Sequence, residues 1–235
     1  MAVTKKERIW EIDALRGLFI LCVVIIHLIF DLEYMYNVNL NLPDSYYFIQ
    51  INGGVLFILI SGISITLGSR YIKRGLFVLG FGMVITIVTL ILFPEIAIYF
   101  GILHLLGVCM LLYPLYKKLP NIVLAISAVI IIILGYYFET IYIKNPYLFV
   151  LGLTTKGFNT GDYFPLFPNL GFFMLGVVLG RLLYKDKKTL FPKFPKDNAV
   201  VRFLSFCGRQ SIWIYLLHQP LIYFILKVYF MNKTP

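Results

Sequence analysis

Polar surface is what this sequence lacks most. Charged residues make up only 14% of its 235 positions, whereas 60% of the positions are hydrophobic and the mean hydropathy is +0.86. A water-soluble domain of this length needs a larger polar fraction, because its surface must be solvated. The composition therefore excludes an ordinary soluble protein and predicts an integral membrane protein.

Cysteine is scarce, and the common nucleotide-binding and hydrolase motifs are missing. Cys22, Cys109 and Cys207 lie in or beside apolar stretches and show no CxxC spacing. This placement favours small core residues over a disulfide framework or a metal site. The sequence also contains no Walker loop, no GxGxxG and no GxSxG, so a soluble-type nucleotide or hydrolase site is not indicated.

Long apolar runs dominate the chain instead. A membrane span needs about 20 mostly apolar residues, and seven stretches meet this requirement: 12–32, 48–68, 75–93, 98–116, 120–138, 164–184 and 207–230. The piece YLFVLGL (147–153) is too short to span and indicates a re-entrant or interfacial segment. The sequence predicts an all-α fold, a polytopic transmembrane helical bundle of about seven spans that forms a single domain over residues 1–235.

The net charge of +10 is explained by membrane topology rather than by nucleic acid binding. Most of the 21 Lys and Arg residues fall in loops on one side of the predicted membrane, and the positive-inside rule makes this the inner side. The N-terminus is then inside and the C-terminus outside, in a multi-pass protein that we expect in the cell (plasma) membrane. Anionic lipid headgroups of the bilayer are a second partner for the basic excess.

Glycines recur in two of the predicted spans. Small residues allow helix backbones to approach closely in a membrane, so these positions predict helix–helix contacts. They are Gly53, Gly54, Gly62 and Gly68 in the second span, and Gly171, Gly176 and Gly180 in the sixth.

The first span carries four polar groups that hydrocarbon excludes: Asp13, Arg16, His27 and Asp31. At about 100° per residue, all four fall on one stripe of a helix. His27 and Asp31 are i,i+4 neighbours on that stripe, and His27 lies about 16 Å beyond Arg16. A stripe of this kind must face the bundle interior or a water-filled cavity.

One part of this stripe has a structural explanation, and the other part favours a functional one. Asp13 and Arg16 are also consistent with an ion pair at the inner interface, or with Arg16 reaching phosphate headgroups. A carboxylate next to an imidazole orients the ring and raises its basicity. His27 with Asp31 therefore favours a functional role.

The other two histidines also lie in predicted spans. His104 falls in the fourth span, and His218 falls near the middle of the seventh, followed by Gln219 and Pro220. Three imidazoles from three helices can converge on one cavity, although His104 taken alone is also explained as a core residue with its hydrogen bonds satisfied. No HExxH motif is present, and no metal is predicted.

Three separated stretches carry a family resemblance. They are RIWEIDALRGLFILCVVIIHLIFDL, DYFPLFPNLGFFMLGVVLGR and GRQSIWIYLLHQP, in this order. Together they resemble the heparan-α-glucosaminide N-acetyltransferase catalytic-domain-like family of membrane acyltransferases. The related acyltransferase-3 group shares an Arg–ten residues–His pattern in its first helix, which Arg16 and His27 match.

The resemblance implies transfer of an acyl group, usually acetyl, from cytoplasmic acetyl-CoA to a sugar or other hydroxyl or amine on the outer side. It implies that His27 is the general base or acyl carrier, and we place Asp31 and His218 in the same catalytic site. Because acetyl-CoA is polyanionic, the candidates to bind it are basic residues at the predicted inner ends: Arg16, Arg74, Arg181 and Arg209. The candidates to bind the acceptor are His104, Asp162 and Gln219.

Two other functions stay open at the level of the sequence. A small transporter or proton-coupled channel also uses buried polar residues, although the chain shows no inverted repeat. A non-catalytic scaffold leaves the buried stripe unexplained. The expected partners of the acyltransferase are acetyl-CoA, a carbohydrate or glycolipid acceptor, the lipid bilayer and a second copy of the chain in a homo-oligomer, without nucleic acid.

Overall fold

The computed structural model describes residues 8–231. Every regular element in this range is a helix. The α-helices are α1 (Trp10–Tyr34), α2 (Asp44–Leu67), α3 (Tyr71–Leu92), α4 (Ile102–Tyr116), α5 (Asn121–Glu139), α6 (Leu166–Leu183), α7 (Ala199–Arg209) and α8 (Ser211–Met231). Two 3₁₀ helices lie in the loops, at Pro94–Ile96 and Pro146–Leu151. The predicted all-α fold is confirmed.

Six of these helices are long and apolar enough to cross a membrane, namely α1, α2, α3, α5, α6 and α8. Helix α4 is apolar but has only 15 residues, or about 22 Å of helix against a hydrocarbon core of about 30 Å. The six long helices together with α4 are consistent with the prediction of about seven spans. The piece YLFVLGL forms part of the second 3₁₀ helix and does not form a span.

The chain divides into two compact units. The first unit contains the chain up to Phe57 and again from Lys187, and the second is Ile58–Asp186. In the second unit, glycines bring helix backbones together as predicted. A Cβ on Gly176 would collide with the Leu59 carbonyl of α2, and a Cβ on Gly171 would collide with the Ala128 carbonyl of α5. Gly62 and Gly180 lie in similar contacts. A Cβ on Gly68 would be near only the Arg74 side chain, and a Cβ on Gly53, which belongs to the first unit, would be near only Ile49 of its own helix.

In the first unit, α1 packs along α7 and α8, and the three helices run in the same direction. The contacting residues advance together along both segments of chain. The pairs are Trp10 with Ser205, Asp13 and Gly17 with Gly208, His27 with His218, Asp31 with Gln219, and Tyr36 with Phe230.

This parallel packing bears on whether α4 crosses the membrane. Two spans that run in the same direction begin on the same face, so the chain between them must cross an odd number of times. Helices α2 to α6 supply five crossings if α4 is a span and four if it is not. If the other four helices each cross, the contacts of α1 with α8 favour a crossing α4, and this crossing is our expectation for the topology.

The structure corrects the predicted seventh span at its start. Residues 207–209 belong to α7, and the helix breaks at Gln210, so the last span is α8. Helix α7 is amphipathic, with Cys207 and Gly208 buried against α1 and with Phe203 and Phe206 exposed. Its start was detectable from the sequence, because Asn198 is a favourable N-cap residue and accepts a hydrogen bond from the Val200 N–H at 2.9 Å.

We expect Glu95→Cys and Lys118→Cys, made one at a time in a variant without the three native cysteines, to be labelled from opposite faces of the membrane. Both positions are exposed and flank α4. A membrane-impermeant maleimide added to intact cells should modify position 95, and it should reach position 118 only after permeabilisation. Labelling of both positions from the same face would show that α4 does not cross.

Candidate functional site

Two of the three histidines meet where α1 packs against α8. The ring centroids of His27 and His218 are 4.9 Å apart, with the ring planes at 61°. The polar stripe of α1 faces its neighbours as predicted, because Asp31 is buried and His27 is half-buried, whereas Leu18 and Ile25 on the other face are exposed. The imidazole pair therefore lies on the packed side of the helix.

His218 carries a buried ring nitrogen without a partner. Its Nδ1 lies 2.5 Å from the carbonyl oxygen of Tyr215. Because a carbonyl oxygen only accepts hydrogen bonds, the hydrogen of a neutral imidazole is on Nδ1 and the lone pair is on Nε2. This Nε2 is buried and has no hydrogen-bond partner among the described residues.

Gln219, the next residue of α8, connects to Asp31 on α1. Its Nε2 donates to both carboxylate oxygens of Asp31, at 3.0 and 2.9 Å. The expected contact of Asp31 with His27 is thus replaced by one with Gln219, while His27 faces His218. The side-chain oxygen Oε1 of Gln219 is the other buried polar atom of residues 8–231 that has no partner.

A cleft of about 580 Å³ opens at the other end of α1, where this helix meets α7 and the chain that precedes α7. Arg8 lies 3.6 Å from Asp13 at its edge. The cleft is lined mainly by cationic and aromatic side chains. The acids Asp13 and Asp197 also line it. The cations are Arg8, Lys196, Arg202 and Arg209, and the aromatic residues are Trp10, Phe203 and Phe206.

Glu11 fixes the chain segment beside this cleft. Its carboxylate is buried and accepts hydrogen bonds from the Leu190 N–H at 2.8 Å and from the Thr189 hydroxyl at 2.9 Å. The ring of Trp10 stacks on Phe194 with centroids 5.0 Å apart. The role of Glu11 is not among the predictions from the sequence, although an acidic residue at the start of an apolar helix is a visible signal.

The basic residues expected to bind acetyl-CoA belong to both compact units, Arg16 and Arg209 to the first and Arg74 and Arg181 to the second. Of the four, Arg209 lines the cleft. Arg16 is half-buried on the next turn of α1 after Asp13, and Arg74 is half-buried in α3.

Arg181, the fourth of these residues, closes the turn between α4 and α5. It donates to the Lys117 and Leu119 carbonyls, each at 2.8 Å, and to Asn121 Oδ1 at 3.1 Å. These contacts explain Arg181 by structure, without a ligand.

The third histidine, His104, is a satisfied core residue of the second unit. Its Nδ1 accepts from the Gly101 N–H at 3.2 Å, and its Nε2 lies 3.1 Å from the hydroxyl of Thr86. That hydroxyl in turn donates to the Ile98 carbonyl at 2.6 Å. Both ring nitrogens of His104 are therefore in use within the second unit.

Asp162, expected to bind the acceptor, sits at the start of α4. Its Oδ2 accepts from the Ile102 N–H at 3.2 Å, which is a favourable place for a carboxylate because the N-terminal end of a helix is partly positive. Within the described part of the chain, no group of three or more His, Cys, Asp or Glu residues is arranged to hold a metal ion.

Comparison with known proteins identifies the family. A family profile described as heparan-alpha-glucosaminide N-acetyltransferase, catalytic, matches residues 8–220, a range that contains the histidine pair, Asp31, Gln219 and the cleft. Searches of curated proteins and of solved structures gave no match. Because the profile covers most of the sequence, the chain belongs to the heparan-alpha-glucosaminide N-acetyltransferase catalytic family, a family of membrane-bound transferases.

Proposed function

We propose that this protein is an acetyl-CoA-dependent acyltransferase of the plasma membrane that acetylates a hydroxyl or amine of a carbohydrate or glycolipid. The observation that carries the proposal is the contact of half-buried His27 with buried His218, in which the His218 Nε2 lone pair has no partner among the described residues. A neutral imidazole with a free ring nitrogen is the usual general base of acyl transfer at neutral pH.

The reaction needs a base that takes up a proton, and an oxygen or nitrogen of the acceptor substrate that attacks the thioester. The imidazole removes the proton from the acceptor's O–H or N–H as its oxygen or nitrogen bonds to the thioester carbonyl carbon. The carbon–sulfur bond then breaks, and the proton passes to the departing sulfur of coenzyme A. His27 acts in the same centre, either as the base itself or as the carrier of the acetyl group.

The cleft at the other end of α1 suits the nucleotide end of acetyl-CoA. Arginine and lysine side chains bind phosphate, and aromatic faces stack on nucleobases. The cleft supplies both, with Arg202 and Arg209 on α7 and with Trp10 and Phe203 nearby. Its acids reduce the local charge, so binding rests on four cations offset by two carboxylates.

Only an elongated ligand can connect the cleft with the histidine pair. From Asp13, which lines the cleft, to His27 is fourteen residues of one helix, or about 21 Å. Acetyl-CoA has this form, because its charged nucleotide and its thioester are separated by a long flexible arm. The positive-inside distribution supports a cytoplasmic cleft, and the acceptor then approaches from the outer face.

We expect His218→Gln and His27→Gln each to reduce the rate of acetyl transfer by about 10²–10⁴-fold, the usual contribution of a general base. His104→Gln is the matched control, because it makes the same change at a histidine whose ring nitrogens bind Gly101 and Thr86. That variant should unfold at a lower temperature but transfer acetyl groups normally per folded molecule. Normal transfer by His218→Gln and His27→Gln would refute the reaction centre.

We expect Arg202→Gln to weaken the binding of coenzyme A by roughly tenfold, because it removes one charge-assisted contact to phosphate. Lys188→Gln is the control, since Lys188 is exposed and does not line the cleft. Titration calorimetry on the purified protein measures both affinities. A transporter of unrelated solutes would bind no coenzyme A, so an undetectable affinity of the unmodified protein would contradict the acyltransferase.

A further inference from the structure

Two buried hydrogen-bond acceptors without partners lie on consecutive residues of α8. They are Nε2 of His218 and Oε1 of Gln219. Both side chains contact α1, His218 at His27 and Gln219 at Asp31, and these two residues of α1 are one helical turn apart. Buried acceptors without donors are rare and unfavourable, and here both occur beside the proposed reaction centre.

Asp31 determines which end of the Gln219 amide is left without a partner. An ionised carboxylate can only accept hydrogen bonds, so the amide must turn its nitrogen toward Asp31. Nε2 is in fact the atom that lies within 3.0 Å of both carboxylate oxygens. The amide oxygen is thereby left for another donor.

We propose that Asp31 is a positioning residue that holds the Gln219 amide so that Gln219 Oε1 and His218 Nε2 accept two hydrogen bonds from the acceptor substrate, one of them from its attacking group. The inference rests on the proposed acyltransferase function and gives Asp31 a different task from the expected one. Asp31 acts through Gln219, and His27 is oriented by its contact with His218. Two fixed acceptors restrict the direction in which an O–H or N–H group can enter the site.

The simplest test is to remove the Gln219 acceptor without changing the size of the side chain. Transfer from labelled acetyl-CoA to glucosamine, as the acceptor probe, is measured with the full-length protein in detergent. Gln219→Met should reduce kcat/KM for glucosamine by about 10- to 100-fold, the effect of losing one hydrogen bond in a buried polar site. The dissociation constant for coenzyme A should not change. Gln50→Met, the same change on α2, should transfer normally.

Asp31→Asn should reproduce this defect. Asparagine has both a donor and an acceptor, so the Gln219 amide can bind it in either orientation, and Gln219 Oε1 is no longer held toward the substrate. The double variant Asp31→Asn/Gln219→Met should be no worse than Gln219→Met alone, since Asp31 acts only through Gln219. Thermal unfolding of each variant separates a defect in transfer from loss of the fold.

A reciprocal exchange provides a rescue. Gln219→Glu alone places a second carboxylate against Asp31 and should abolish transfer. In Asp31→Asn/Gln219→Glu, the introduced asparagine donates to one carboxylate oxygen and leaves the other as an acceptor, so most of the activity should return. A purely structural contact would restore thermal stability without restoring kcat/KM for glucosamine, and this result would overturn the proposal.

The outcomes distinguish this inference from the proposed function. Wild-type transfer that is lost in His218→Gln but is unchanged in Gln219→Met and Asp31→Asn would overturn only the inference. Losses from Asp31→Asn and Gln219→Met that multiply in the double variant would also overturn it. Absence of transfer to glucosamine by the unmodified protein would overturn the inference, and absence of both this transfer and coenzyme A binding would overturn the proposed function as well.

Discussion

The close contact of α1 with α7 at Gly17 and Gly208 sets the register of the first unit. A Cβ on Gly208 would collide with the Asp13 carbonyl, and a Cβ on Gly17 would collide with the Leu204 carbonyl. From this contact, His27 and His218 each lie ten residues further along parallel chain segments. Equal spacing on parallel helices brings the two imidazoles to the same depth, so the site depends on this backbone contact.

Polar groups placed inside a membrane protein need partners, and nearly all of the buried polar side-chain atoms in residues 8–231 have them. His104 uses both ring nitrogens, Arg181 binds carbonyls at a turn, and Glu11 binds the chain at Leu190. Among the described residues, the buried side-chain atoms without partners are confined to His218 and Gln219. An unsatisfied buried group is destabilising unless a ligand completes it, so its concentration at one place favours a binding site there.

The sequence predicted the parts of this arrangement that depend on a single helix. The spacing of Asp13, His27 and Asp31 was sufficient to place them on the packed face of α1, because helical periodicity is local. It could not show that Asp31 binds Gln219 instead of His27, since a partner on another helix competes with an i,i+4 neighbour only after folding. Helix α7 was missed because its 11 residues are too few and too polar to be recognised as a span.

The proposed donor site and the histidine pair both lie in the first unit, because both are built from α1 together with α7 and α8. Trp10 and Asp13 belong to the cleft, and His27 belongs to the pair, all on the same continuous helix. On the other side, the break at Gln210 separates Arg209 in the cleft from His218 in the pair. The close backbone contact at Gly17 and Gly208 holds α7 against α1 in the interval between these two sites. If one extended ligand occupies both sites, as we propose, this contact fixes the distance between the place of its charged end and the place of its reacting end.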